Sequence, residues 1–141
     1  MSDSAAPILS KLSDSGQTVE SPDEDVRGRK VTGTDGDDVG KIEDLLVDES
    51  ERKVRFLLVA HGGFLGFGET KSFIPVDAVT RVTEDQVFID QARERVANAP
   101  VYNPELAENP DYYASVYGYY GYAPFWGPGY IYPGFPFRGH M

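Results

Sequence analysis

The 141-residue sequence has no cysteine, one tryptophan and only two histidines. Without thiols there is neither a disulfide nor a thiolate metal ligand, so a small folded unit must rely on its apolar core, and a reducing cytoplasmic setting is expected. Basic side chains are also scarce. Thirteen of them face twenty-three acidic ones, for a formal charge of -10, which disfavours contact with a phosphate backbone; nucleic acid is not an expected partner. Acid–base chemistry would need a carboxylate pair or one of the histidines, His61 or His140, and a pair such as Glu43 and Asp44 points to opposite sides of a strand. Nothing is spaced to converge on His61, and His140 lies at the extreme C-terminus, so neither is expected to be catalytic. The Gly-x-Ser-x-Gly elbow is missing. The glycine-rich run Gly62-Gly63-Phe64-Leu65-Gly66-Phe67-Gly68 has neither the Gly-x-Gly-x-x-Gly order nor the Lys-Ser/Thr of a phosphate loop. Neither catalysis nor a cofactor is expected.

No charged residue occurs from Tyr112 to Phe137, a stretch of 26 residues long enough to cross a bilayer. Five glycines and four prolines interrupt it, and a helix so broken would leave backbone groups unpaired in lipid, so integral membrane insertion is not expected. Contact with a membrane surface is compatible with its tyrosines and Trp126. At the other end of the chain, Asp3 and the lack of an apolar stretch before Pro7 do not read as a signal peptide.

What is present divides into three parts. Residues 1–25 are rich in Ser, Asp and Glu and are expected to form a disordered lead with a short transient helix around Ile8–Leu12. Residues 26–90 alternate as strands do. Asp35-Gly36 marks a tight hairpin, and a second turn falls at Asp48–Arg52. Val54, Phe56 and Leu58 are expected to face the core with Ile74 and Val87. Pro75 places its strand at an edge or a bulge, and a last hairpin is expected across Glu84-Asp85. Residues 91–141 begin with a helix predicted from Gln91 to Asn98, capped by Asp90 and stopped by Pro100; a second is predicted over Pro104–Asn109. Tyr112–Tyr122 shows no clean period. Several short strands with turns every eight to twelve residues predict a mainly β fold, a small barrel or rolled sheet.

The run Val31–Asp48, then Phe56-Leu57-Leu58-Val59, the glycine-rich loop and Phe73–Val79 resemble the PRC-barrel domain over about residues 26–90. The resemblance implies a small PRC-type β-barrel, here followed by a helical or irregular aromatic extension. The family includes the cytoplasmic part of the photosynthetic reaction-centre H subunit and the C-terminal domain of the ribosome maturation factor RimM. This sequence shows neither the membrane helix expected before the first nor the extra barrel expected before the second. It is more similar to the stand-alone bacterial members, with an extension like those of actinobacterial ones. The resemblance implies a non-enzymatic protein-interaction or self-assembly module with a stress-related or scaffold role. A peripheral membrane or photosynthetic-complex scaffold, or a ribosome-associated assembly factor, is the alternative.

Three acidic side chains, Asp35, Asp37 and Asp38, together with Gly40 suggest a calcium loop. Val39 and Leu46 then occupy positions that need oxygen ligands, so a solvated turn is expected and no metal. Contact residues are expected instead. Leu57 and Val59 make the outer face of their strand apolar where a singly packed strand would be polar, so something should cover them. The candidates are Tyr112, Tyr113, Tyr117, Tyr119, Tyr120 and Trp126 of the tail, with Phe64, Leu65 and Phe67 on the loop. Twelve of the 26 uncharged residues are aromatic, too much apolar area to stay wet on a lone monomer. Three arrangements are open: the tail packs on its own barrel, crosses to a second copy in a dimer or larger assembly, or condenses with other tails.

Overall fold

The computed structural model describes residues 9–12, 25–48, 52–62, 70–101, 110–127 and 129–132. Among these residues seven strands form one sheet: β1 (Leu9–Lys11), β2 (Lys30–Thr32), β3 (Asp38–Asp48), β4 (Val54–His61), β5 (Thr70–Pro75), β6 (Val79–Val82) and β7 (Gln86–Ile89). Among the described residues two helices follow, α1 (Arg93–Ala97) and α2 (Pro110–Tyr120). The sheet runs β5-β4-β3-β2-β7-β6, with β1 added to the far half of β3. Strands β5 and β6 are its two edges, yet only a 3-10 turn, Val76–Ala78, joins them. A link of three residues spans so little that the sheet must curl until its edges approach, and it forms a half-barrel.

Pairing register sorts the side chains between two faces. Ile42 and Leu45 on β3 lie opposite Val59 and Leu57 on β4, and Leu57 lies opposite Ile74 on β5, so these five share a face. Val31 and Val87 pair with each other, and Gly40, opposite Val31, lies on the Ile42 side. All of these apart from Gly40 are buried apolar side chains; this face is the interior of the half-barrel. The opposite face carries Lys30, Lys41, Ala60 and Lys71 in one row and Leu46, Phe56, Leu58 and Phe73 further along. It is the outer face, charged at one end and apolar at the other.

Several expectations change here. The five residues assigned to the core are all buried. Phe56 and Leu58, however, are on the outer face, while Leu57 and Val59 point inside. Both faces of β4 are covered, so alternation alone does not tell inside from outside. Ile8–Leu12, expected as a transient helix, contributes instead the strand Leu9–Lys11. Because β2 pairs only with Asp38–Lys41, the far half of β3 has a free edge, and Leu9 takes it opposite Asp48. The hairpin between β2 and β3 is not a two-residue Asp-Gly turn. Gly36 closes a four-residue turn by donating its N–H to Gly33 O at 3.0 Å, and only Gly36 there has positive φ, at 82°. Helix α1 is shorter than predicted and its N-cap is Ala92, without a side-chain cap. The region predicted as a helix over Pro104–Asn109 lies outside the described residues, apart from which Tyr112–Tyr120 belongs to a true helix.

Helix α2 ends as glycine-capped helices do. Tyr122 N–H donates to Tyr117 O at 2.9 Å, Gly121 N–H donates to Gly118 O at 3.2 Å, and Gly121 has φ of 86°. The cap turns the chain back across the outer face instead of continuing the helix.

Candidate functional site: an aromatic strap on the outer face

Tyr112, Tyr113, Val116, Tyr117 and Tyr120 recur at helical spacing and are all buried. They form the stripe by which α2 meets the sheet. The Phe56 ring lies 5.4 Å from Tyr113 and 4.9 Å from Tyr117, while Phe73 lies 6.1 Å from Tyr112 and 5.8 Å from Tyr113. Phe56 and Phe73 also touch, at 5.6 Å. Separations of this size with tilted planes suit the ring quadrupole, so the layer gains directional contacts beyond buried area. The tyrosines therefore cover the Phe56 and Phe73 side and not the Leu57 and Val59 side; the expected pairing of the tail with those two residues is corrected. The physical reason is that Leu57 and Val59 are already occupied in the half-barrel interior.

After Gly121 the chain becomes a strap fastened by its polar atoms. Tyr122 donates its hydroxyl to Asp90, which also accepts from Gln91 Nε2 at 2.9 Å. Asp90 lies two residues ahead of Ala92, the N-cap of α1, and so does not cap that helix. Tyr130 donates to Asp77 Oδ2 at 2.9 Å, and Tyr132 donates to Val54 O at 3.1 Å. Tyr119, half-buried, is held from both sides: its hydroxyl donates to Arg95 O at 2.5 Å, and the Arg95 guanidinium lies 4.2 Å from its ring centre. Trp126 packs edge-on against Tyr117 at 6.0 Å and Phe125 at 5.2 Å, and remains 38% exposed.

Beneath the strap lies a buried ion pair. Between Leu46 and Val47 the register shifts, giving β4 an additional residue, Arg55. Its guanidinium donates to Asp48 Oδ2 from Nη2 at 2.7 Å and from Nε at 3.1 Å, and Phe125 stacks on it at 4.0 Å. A planar cation can satisfy a carboxylate with its edge and an aromatic ring with its face, which fits it to the position between sheet and strap.

Asp77 is less well served. Its Oδ1 is buried with no hydrogen-bond partner among the described residues, and burial pushes its carboxyl above the usual range, against the lowering effect of the Tyr130 hydrogen bond. The raised value means that ionising Asp77 costs stability. That cost is absent below the ordinary value of 3.8 and is fully present once the pH has risen through the folded-state value. Asp77→Asn should therefore raise the thermal midpoint at neutral pH, and the gain over the native chain should shrink in acid. Melting curves across that range would show it; a variant less stable than the native chain at neutral pH would remove the buried-charge account.

His61 is buried, with Nε2 3.0 Å from Ser72 Oγ. The acidic turn is exposed, and Asp35 Oδ1 accepts the Asp37 N–H at 3.3 Å. Among the described residues no cluster of His, Cys, Asp or Glu could hold a metal, and no helix is long and apolar enough to cross a membrane. Phe64, Leu65 and Phe67 lie outside the described residues. Sequence reasoning missed Arg55, Asp48, Asp77 and Phe125. A charged residue at 55 among apolar neighbours was a signal, but only the bulge reveals which way it turns.

The PRC-barrel domain family model matches residues 19–96, more than half of the chain, beginning ahead of β2 and ending within α1. No curated protein matches the chain.

Proposed function

We propose that this chain, which belongs to the PRC-barrel family, is a non-enzymatic interaction module whose strap presents Trp126 and Ile131 to a second copy or to another protein in the cytoplasm. PRC-barrel domains are generally non-catalytic protein-interaction modules. The observation that carries the reading is the local geometry of the strap. Tyr130 and Tyr132 are fixed inward by Asp77 and Val54, so the residue between them, Ile131, is turned out and is 85% exposed. An isoleucine held by its neighbours in water is poised for contact at little further cost in backbone entropy.

Ile131→Asp tests this without touching the anchors. The native chain should sediment above monomer mass or retain a specific protein when used as bait in cell extract. The variant should lose that behaviour while keeping its thermal midpoint. Identical sedimentation and identical captured proteins for the two chains would contradict the proposed contact.

A further inference from the structure

We propose that the basic end of the outer face is a binding site for a small multivalent oxyanion, of the phosphate or polycarboxylate type. A concavity of about 530 Å³ lies between the start of β3, the end of β4 and α1, and Lys30, Lys41, Arg93, His61 and Asp38 supply its polar lining. In a chain of formal charge -10 this concentration of cations runs against the overall field.

The sheet register makes the arrangement more specific. Lys30 and Lys41 are direct cross-strand partners on one face, a placement in which like charges repel. Further along the same row Lys71 is neutralised by Glu43 at 2.7 Å, with Ala60 intervening. Lys30, Lys41 and Arg93 have no carboxylate within ion-pair distance among the described residues. Asp38 lines the same concavity and offsets part of the charge, leaving an excess of positive side chains.

On the interior side of the same strands a Cβ on Gly40 would stand 2.3 Å from Ala60 O, so only glycine lets β3 and β4 approach as closely as they do behind the lysine row. A ligand with several oxygens would bridge the opposed lysines and Arg93, replacing their repulsion with charge-assisted hydrogen bonds. A singly charged ligand would reach fewer of them.

Calorimetric titration of the full chain at low ionic strength, with pyrophosphate in one arm and citrate in the other, tests the site and separates its two ligand chemistries. Saturable one-site binding by either anion is expected, weakening as salt is added. Lys41→Gln and Arg93→Gln should each weaken it about tenfold, and Asp38→Asn should tighten it. Arg52→Gln, the same loss of charge at the other end of β4, should leave it unchanged. Lys41→Gln should also keep or raise the thermal midpoint, because it relieves the repulsion with Lys30. Absence of saturable binding by both anions, or equal weakening by Arg52→Gln, would overturn the proposal.

Discussion

Replacing Phe56 with alanine is expected to lower stability by about 3–5 kcal/mol, the usual cost of deleting a large buried aromatic side chain. Phe56 has no exposed surface, and its ring touches Phe73 on the sheet and both Tyr113 and Tyr117 on α2. The void would open between two layers, so the sheet and the helix would lose contacts together. Chemical denaturation of the variant should show a lower midpoint, and the strap should loosen with it. A midpoint equal to that of the native chain would mean that Phe56 does not join the layers. Leu57→Ala should cost about 2–5 kcal/mol and act on the half-barrel interior alone.

Ending the chain at Asn109 should have the largest effect. The truncation removes Tyr112, Tyr113 and Tyr117, each contributing about 2 kcal/mol by analogy with other large buried side chains. It also strips Phe125 from the buried Arg55. The combined loss is comparable to the whole stability of a small domain, roughly 5–15 kcal/mol. Phe56 and Phe73 would then face water beside each other and make a patch prone to association. Light scattering and thermal melting should report aggregation or a strongly lowered midpoint. A truncated chain that stays monomeric with its midpoint unchanged would show that the half-barrel stands without the layer.

Much of this organisation was legible in the sequence. Alternation over Val54–His61, the Asp35-Gly36 turn and Pro75 led to a small β fold with β5 at an edge, and the quoted motifs led to the family. What failed has a common physical origin. In β4 both faces are apolar because one lines the half-barrel and the other receives α2, so period two identifies a strand without saying which side is inside. The bulge at Arg55 compounds this, since one additional residue reverses the side on which a neighbour emerges. Strand β1 depends on the edge offered by β3, a pairing more than thirty residues away that local propensity cannot record. The helix at Pro110–Tyr120 was obscured differently. Its buried stripe of Tyr112, Tyr113, Val116, Tyr117 and Tyr120 has helical spacing, but Gly118 and the outward Tyr119 blur it. The anchoring pairs Tyr130 with Asp77 and Tyr122 with Asp90 join residues too distant for spacing to reveal.

The central claim is that this chain's own C-terminal segment forms the outer layer of its half-barrel. Amide hydrogen exchange of the full chain, followed over Pro110–Tyr120 at several protein concentrations, tests it most directly. A helix packed on Phe56 and Phe73 should open only with the sheet, so its amides should be protected to a degree approaching those of β4, and the protection should not change on dilution. Exchange of those amides at free-peptide rates while β4 stays protected, or protection that disappears on dilution, would contradict the account.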